Sequence, residues 1–211
     1  MQMNQQIAQW ADRLRHISAM GLHYTKNIHD MNAFESVRNV AMEMAAAATG
    51  QTMEQIEPLR ATVFSRATPV VTVDAAVIDD AGRILLIQRA DNHKWAMPGG
   101  ACEVGDTPAE GAVRETLEES GVRCEAISLV GVFDSRLCGT PSSHHLYQFV
   151  FLCKLVDQEN VGKASHAIEV DGMGWFAEYA LPVDLDPGHV TRIPIAYKAW
   201  HGERAAFFDQ V

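Results

Sequence analysis

The spacing of apolar residues changes once along the chain, near residue 68. Before that point, apolar residues recur at intervals of three and four, which is the spacing of an amphipathic helix. The first such set is Ile7, Trp10, Leu14 and Ile17. Glycine and capping residues mark where helices begin and end. We predict one helix over 3–19 that ends at Gly21, one from near Asp30 or Asn32 to Gly50, and a weaker one over 53–64.

After residue 68 the spacing is typical of β-strands. Short runs rich in β-branched residues are separated by Gly, Pro, Asp and Ser, the composition of strands joined by turns. The turn residues from Asp79 to Gly82 predict that the second strand pairs with the first as a hairpin. We predict strands over 70–78, 83–89, 95–97, 124–133, 146–154 and 172–176, and a short amphipathic helix within 194–208.

These elements place the chain in the α/β class. Strands interspersed with helices favour a mixed sheet that has helices packed on both faces. The N-terminal helices alone form too thin a core, so their apolar faces must pack on the remainder of the chain or on a second copy of it. We therefore predict a small N-terminal helical domain over 1–67 and an α/β domain over 68–211.

One predicted helix of the α/β domain lies in Gly100–Val122, which reads GACEVGDTPAEGAVRETLEESGV. Thr107 and Glu110 match a capping box, and Pro108 occupies the first helical position. Gly121 then ends the helix. At 100° per residue, one face carries Ala109, Val113, Thr116 and Leu117, and we predict that this face is buried.

The opposite face of this helix carries three carboxylates, Glu115, Glu118 and Glu119. Like charges at these spacings weaken a helix by about a few tenths of a kcal/mol per pair, and Gly111 on the same face costs about 1 kcal/mol relative to alanine. A hard divalent cation would relieve the repulsion, and the glycine would leave room for a bulky anionic substrate. The alternative is an acidic helix face that is simply solvated.

The full spacing of this stretch resembles the Nudix box. Gly100 is followed after five residues by Asp106, and after seven more by Arg114-Glu115-Thr116-x-Glu118-Glu119-x-Gly121-Val122. The family pattern has glutamate in place of Asp106, and the run Trp95–Gly99 also resembles the usual approach to the box. The resemblance implies an α/β/α sandwich and magnesium-dependent hydrolysis of a diphosphate bond, with manganese as the alternative metal.

The N-terminal residues resemble the helical domain of a bacterial Nudix subfamily. The resemblance is carried by Trp10, Leu14, Gly21–Tyr24 and Asp30–Phe34. That subfamily cleaves nucleoside diphosphates linked to another moiety and uses the helical domain for dimerisation, which implies a homodimer here. Val70 and Asp74 depart from its pattern, because basic residues are expected at those two positions.

The resemblance also suggests roles for individual residues. Glu115 and Glu119 are the expected main metal ligands because their i, i+4 spacing directs both at one point, with Glu118 as a third ligand and the Gly99 carbonyl as a backbone ligand. Arg114 is expected to orient these carboxylates through Asp106 or Glu118. Four further candidates each have an ordinary alternative as a solvated or surface residue: Glu169 as an extra metal ligand or general base, Arg89 as a phosphate contact, and His144 and His145 as residues of the substrate pocket.

Composition narrows the range of partners. The net charge of −10 argues against nonspecific binding to nucleic acid or to anionic membranes. The four cysteines form no CxxC pair, so reduced thiols are expected. The first residues lack the regions of a signal peptide, and the longest apolar cluster is too short to cross a bilayer. These features predict a cytoplasmic protein whose partners are a small nucleotide derivative and a second copy of the chain.

Two function classes follow from the sequence. The first is a magnesium-dependent pyrophosphohydrolase that acts on a nucleoside diphosphate linked to another moiety, with ADP-ribose-like and CDP-choline-like compounds as candidate substrates. The second is a noncatalytic Nudix-like module that senses a nucleotide. Because such a module does not need the metal carboxylates, the presence of Glu115, Glu118 and Glu119 favours the enzyme.

Overall fold

The computed structural model describes residues 3–142, 144–156, 168–203 and 205–210. It divides into two compact units, Met1–Thr68 and Pro69–Val211. Within the described residues, no helix has both the length and the apolar character needed to cross a membrane.

The N-terminal unit is helical. Its elements are α1 (Met3–Tyr24), α2 (Ile28–Thr49), α3 (Met53–Ile56) and a π-helical turn (Arg60–Phe64). Asn27 caps α2 at its start by accepting a hydrogen bond from the His29 amide, and Gly50 ends it with φ +70°. The small core of this unit consists of Ala41, Met42, Ala46, Ile56 and Phe64.

Two helix predictions in this unit were wrong. Gly21 does not end α1, which continues to Tyr24. A Cβ at Gly21 would lie 2.4 Å from the ring of Phe34, so the glycine allows α1 and α2 to pack closely. The third helix is interrupted because Pro58, which lacks an amide hydrogen, follows closely after Ile56, where α3 ends.

The described residues of the C-terminal unit form eight strands and two helices. The strands form a five-stranded sheet in the order β4-β1-β6-β5-β8 and a three-stranded sheet in the order β3-β2-β7. The larger sheet is mixed, since β1 runs parallel to β6 and antiparallel to β4. The elements are β1 (Val70–Val77), β2 (Arg83–Arg89), β3 (Trp95–Ala96), β4 (Gly99–Ala101), α4 (Pro108–Ser120), β5 (Cys124–Asp134), β6 (Leu146–Leu155), β7 (Val170–Ala177), α5 (Pro187–Trp200) and β8 (Phe207–Phe208).

Alternate residues of β1 enter two separate cores. Val73, Ala75 and Val77 pack in a cluster with Ala112 of α4. Ala76, by contrast, belongs to a cluster that contains residues of α5. Because successive side chains of a strand point to opposite faces, the two helices cover opposite sides of the sheet. The predicted α/β/α sandwich with a mixed sheet is therefore confirmed.

The predicted hairpin between the first two strands was wrong. β2 pairs with β3 and β7, and only the isolated bridge between Ile78 and Ile84 joins it to the end of β1. The physical reason is that β4 and β6 already occupy the two edges of β1. The chain therefore passes at this turn from one sheet to the other.

The last helix begins earlier than its predicted range. Asp186 caps α5 by accepting a hydrogen bond from the Gly188 amide, and Pro187 lies in the first turn. Pro194, which marked the start of the predicted range, lies inside the helix. The earlier start places His189 and Arg192 on α5, where both are buried.

Candidate active site

Helix α4 begins and ends as its sequence indicates. The Thr107 side chain accepts a hydrogen bond from the Glu110 amide, and the Glu110 carboxylate accepts one from the Thr107 amide. Gly121 ends the helix in the left-handed region, with φ +72°. These caps fix where α4 begins and ends beside β4.

The buried face of α4 differs from the predicted one. Leu117 is 40% exposed, whereas Thr116 and Glu119 are buried. Gly111 faces the sheet, because a Cβ there would lie 3.3 Å from Cγ2 of Val73. The glycine thus allows α4 to approach β1 closely. The sequence-based prediction that Gly111 leaves room for a substrate was therefore wrong. The helical spacing predicts Glu119 on the face opposite to the buried one, but the rotation of the helix on the sheet buries it.

Arg114 connects the acidic residues around α4. Its Nη1 donates to Oε1 of Glu115 and to Oε2 of Glu118, at 2.9 Å each. Its Nε donates to Oδ2 of Asp106 at 3.2 Å, so the shorter aspartate still reaches the guanidinium. The remaining nitrogen, Nη2, donates to the Ala101 carbonyl at 3.3 Å. Arg114 therefore holds two of the three helix carboxylates in place.

Glu119 is held separately from the other two carboxylates. Its Oε2 accepts a hydrogen bond from the Gly99 amide at 2.9 Å, and the residue is 8% exposed. Burial is the main reason that the pKa of Glu119 is raised to about 8. The Gly99 bond lowers this pKa, while the negative charges of Glu115, Asp74 and Glu169 raise it. Glu119 therefore lies where negative charge is concentrated and water is largely excluded.

Two glycines allow the strand before α4 to lie close to these carboxylates. A Cβ at Gly99 would lie 2.2 Å from the Val73 carbonyl oxygen, and one at Gly100 would lie 2.8 Å from the Glu115 carboxylate. Real Cβ atoms do not approach that closely, so a larger residue at position 99 would push β4 away from β1, and one at position 100 would displace the Glu115 carboxylate. Both glycines line the adjacent cavity.

A cavity of about 600 Å³ opens beside Glu119. Arg89 at the end of β2 and Glu169 just before β7 line it together with Gly99. The described residues contribute four carboxylates and one guanidinium to its wall, and that guanidinium, of Arg89, is paired with Asp91 at 2.7 Å. A diphosphate would be repelled from this wall unless a cation neutralised it. The charged lining residues are Asp74, Arg89, Asp91, Glu119 and Glu169.

The donor set suits a hard divalent cation, although the carboxylates are not gathered around one point. In the described part of the chain, three or more His, Cys, Asp or Glu side chains are nowhere grouped so that they could hold a metal ion. The contacts explain this, since Glu115 and Glu118 are turned to Arg114 and Glu119 to the Gly99 amide. Carboxylate oxygens are nevertheless the ligands that magnesium prefers, and a bound cation would favour the ionised form of Glu119. The residues therefore fit such an ion.

The two histidines suggested for the pocket lie elsewhere. His145 Nε2 lies 3.0 Å from Oδ2 of Asp134, and its ring packs edge-on against Tyr147. His144 is exposed, and its amide donates to the Ser142 hydroxyl. The described lining of the cavity includes neither histidine, so this placement gives no support to their predicted contact with substrate.

Our sequence reasoning missed a buried polar network on the other side of the cavity. Nη1 of Arg192 donates to Oδ2 of Asp74 at 2.6 Å, and the two side chains are 1% and 9% exposed. His189 is also buried, and its Nδ1 accepts a hydrogen bond from the Met97 amide. Asp74 had been noted only as a departure from the subfamily pattern. The cap and proline signal at residues 186–187 would have placed the two α5 residues on a helix.

Comparisons with known families match both parts of the chain. The family model described as NUDIX domain matches residues 68–194. A second model, described as UDP-X-like, N-terminal oligomerisation domain, matches residues 5–59. Together they account for most of the two structural units.

Individual relatives agree with these matches. The protein named "Putative ADP-ribose pyrophosphatase YjhB" of Bacillus subtilis (strain 168) is 32% identical over 173 residues, which are 82% of this chain and 81% of the relative. A crystal structure of UDP-X diphosphatase covers 98% of this chain and 99% of its own, with a TM-score of 0.59 and 28% identity. An ADP-ribose pyrophosphatase from Streptococcus suis 89-1591 covers 67% of this chain and 100% of its own, with a TM-score of 0.56 and 27% identity.

Proposed function

The chain belongs to the Nudix hydrolase family, and on that premise we propose that it hydrolyses the diphosphate of a nucleoside diphosphate linked to another moiety in a magnesium-dependent reaction. The single observation that carries this proposal is the position of Glu119, buried beside an acidic cavity and one helical turn from Glu115. Water would add across the P–O–P bridge, giving a nucleoside monophosphate and the phosphorylated second moiety.

We assign the metal ligands to the carboxylates of α4. Glu115 and Glu119 would hold the ion, with Glu118 as a third ligand and the Gly99 carbonyl as a backbone ligand. When bound, the cation supplies neutralisation of the diphosphate and a lower pKa for its bound water. Arg114 is a positioning residue, because its guanidinium already fixes Glu115 and Glu118.

Two further residues of the cavity are given roles in this proposal. Glu169 lines the same cavity as Glu119, and we assign it the proton released by the attacking water. Arg89 lies at the end of β2 in the same wall. Its guanidinium would leave Asp91, with which it is paired, and contact a phosphate oxygen of the substrate instead. Both roles are supported by proximity to Glu119 and by the charge that the reaction requires.

The substrate class is supported by the relatives. One is named for UDP-X and two are named for ADP-ribose, and each of these names denotes a nucleoside diphosphate carrying a second group. We therefore favour substrates of this class over nucleoside triphosphates. CDP-choline-like compounds belong to the same chemical class.

The experiment that tests this function is a substrate panel. Purified protein would be incubated with ADP-ribose, UDP-glucose, CDP-choline and a nucleoside triphosphate, with Mg²⁺, Mn²⁺ or EDTA, and the products separated by chromatography. We expect a nucleoside monophosphate and a phosphorylated second moiety from at least one linked diphosphate, only when metal is present. Equal turnover in EDTA, or turnover of the triphosphate alone, would contradict the proposal.

We also propose that residues 1–67 form a helical domain through which the chain forms a homodimer, with the α/β hydrolase domain over 68–211. The support comes from the description of the N-terminal family match as an oligomerisation domain and from exposed apolar side chains on α1. Trp10 is 45% exposed and Ile17 is 50% exposed, whereas α1 buries the smaller Ala11, Ser18 and Ala19. Burying a large apolar side chain contributes about 1.5–3 kcal/mol, so a second copy is a favourable partner for this face.

A further inference from the structure

A second, smaller cavity of about 180 Å³ adjoins the acidic one. The two share part of their walls, including Asp74, Gly99 and His189. The part of the smaller cavity that is not shared includes polar residues of β6, of α5 and its cap, and of the loop before β6. The members of this polar wall are Thr140, Gln148, Asp186 and Arg192, and we call them and His189 the polar subsite.

Three buried side chains of the polar subsite keep a donor for a ligand. Oε1 of Gln148 accepts bonds from the Thr140 hydroxyl at 2.8 Å and the Cys138 thiol at 3.2 Å, which assigns its amide nitrogen as the remaining donor. Arg192 uses Nη1 for Asp74 and Nε for the Gly188 carbonyl, which leaves Nη2. His189 uses Nδ1 as an acceptor, so its proton is on Nε2.

These donors belong to buried residues, yet they remain accessible from the cavity. Gln148, His189 and Arg192 are 5%, 4% and 1% exposed. Among the described residues, the buried side-chain nitrogen and oxygen atoms without a partner are Nε of Arg38 and Oγ1 of Thr72. None of the three spare donors is in that set, so each of these nitrogen atoms keeps some accessible surface. The three residues line the same cavity.

Gly188 keeps the space between two of these groups open. A Cβ at this position would lie 2.3 Å from the Thr140 hydroxyl and 3.1 Å from Nη2 of Arg192. The hydroxyl that anchors Gln148 and the spare guanidinium nitrogen therefore converge on one region of the wall. The two groups are therefore held close to each other by the fold, unlike polar residues scattered over a surface.

The charge of the cavity wall selects a neutral ligand group. Among the lining residues that the structure describes, the charged side chains are Asp74, Asp91 and Asp186 against Arg89 and Arg192, which is a formal excess of one negative charge. A phosphate would therefore be disfavoured there. The described lining also has no Phe, Tyr or Trp, the aromatic side chains on which bases stack.

We propose that the polar subsite binds the vicinal hydroxyls of a sugar ring in the substrate. A hydroxyl both donates and accepts, so it can give its proton to a carboxylate of Asp74 or Asp186 while accepting from Gln148, His189 or Arg192. The proposal rests on the proposed function, because the substrate class supplies the sugar. That sugar is either the ribose of the nucleoside or a sugar in the second moiety, and the two share this chemistry.

Binding of matched deoxy ligands tests the proposal. The parent ligands are ADP-ribose and UDP-glucose. Each parent is compared with two analogues, one that lacks the 2-hydroxyl of the nucleoside ribose and one that lacks the 2-hydroxyl of the terminal sugar. Dissociation constants would be measured by calorimetry with Mg²⁺ in a Glu169→Gln background, which keeps the proposed metal ligands of α4, and chromatography would establish that the ligands remain intact. We expect the loss of one hydroxyl from the bound sugar to weaken binding by about tenfold, and the analogue affected identifies which sugar it is.

Variants of the subsite complete the test. In Gln148→Met, which retains the length of the side chain, the same analogue should bind no more than about threefold more weakly than its parent. Lys154→Met, an exposed substitution on the same strand, should leave the tenfold difference unchanged. If Gln148→Met does not fold, His189→Asn serves instead, because its Oδ1 can still accept from the Met97 amide while the Nε2 donor is lost.

The proposal is overturned if neither parent ligand binds, if neither deoxy analogue is weakened, or if both subsite variants discriminate as strongly as the control. Hydrolysis by the wild-type protein is assayed separately. A protein that binds with hydroxyl discrimination but does not hydrolyse would therefore contradict the proposed function and leave the subsite supported.

Discussion

Replacing Glu119 by glutamine removes a charge that the metal-free fold holds in an unfavourable place. Glutamine has the same length, and its Oε1 can still accept the hydrogen bond that the Gly99 amide donates to Glu119 at 2.9 Å. The substitution therefore changes the ionisation at this position with little change in shape. We expect it to stabilise the metal-free protein at alkaline pH and to abolish metal-dependent hydrolysis.

The direction in which the stability changes with pH follows from the raised pKa of Glu119. Folding raises the pKa of Glu119 from its ordinary value of 4.5 to about 8, so between these values the folded protein binds a proton that the unfolded chain has released. The protonated carboxyl contributes stability that is complete below the ordinary value and is lost as the pH rises through about 8. The wild-type free energy of unfolding should therefore fall across this window, relative to Glu119→Gln, and then level off.

The size of this stability difference is set by the same two pKa values. At about 1.4 kcal/mol for each pH unit, the interval gives an upper bound of roughly 5 kcal/mol. Glu119 lines a cavity, and water that enters it relaxes part of this cost. We therefore expect Glu119→Gln to be more stable than wild type by about 2–3 kcal/mol at pH 8.5 in EDTA, and nearly equal to it at pH 5.

Urea unfolding followed by tryptophan fluorescence measures this difference. The sequence has four tryptophans, and in a Trp10→Phe background the remaining three, Trp95, Trp175 and Trp200, all report on the α/β unit. Glu118→Gln is the matched control. Its carboxylate is 27% exposed and bonded to Arg114, so this variant should gain no stability at alkaline pH.

Two results would refute this reasoning. One is a Glu119→Gln protein no more stable than wild type at pH 8.5 in EDTA, and the other is a stability difference that does not change with pH. Added Mg²⁺ should narrow the gap, because a ligand that binds the native state stabilises it. Near-normal hydrolysis by Glu119→Gln at saturating Mg²⁺ would contradict the assignment of Glu119 as a ligand.

Three further predictions concern other parts of the molecule. Arg114→Lys retains the charge but cannot bond two carboxylates in the geometry of a guanidinium, so kcat should fall by about 10–100-fold, whereas an unchanged kcat would remove the positioning role. Arg192→Met leaves the Asp74 carboxylate buried without its partner and should cost about 3–5 kcal/mol in urea unfolding, and Asp74→Asn in the same chain should recover part of this cost. Light scattering should give a dimer for the full chain and a monomer for a chain starting near Arg66, and a monomeric full chain or a dimeric truncated chain would contradict the proposed interface.

The sequence alone was sufficient for those features that depend on near neighbours in the chain. The caps of α4 at Thr107 and Gly121 follow from local backbone chemistry, and the mixed α/β architecture follows from the change in apolar spacing near residue 68. The Nudix box was also recognisable, because its residues lie within one continuous loop and helix. Its i, i+4 carboxylates are neighbours on any α-helix, whatever the rest of the fold.

Only the tertiary structure determined which surfaces meet. The pairing of β1 with β4 and β6 in place of β2 depends on strands distant in sequence, and the close packing at Gly21 depends on Phe34 of another helix. The rotation of α4 on the sheet, which buries Glu119 and exposes Leu117, is set by packing against β1. Asp74 and Arg192 are 118 residues apart, and no local pattern relates them, because their pairing exists only once α5 covers the sheet.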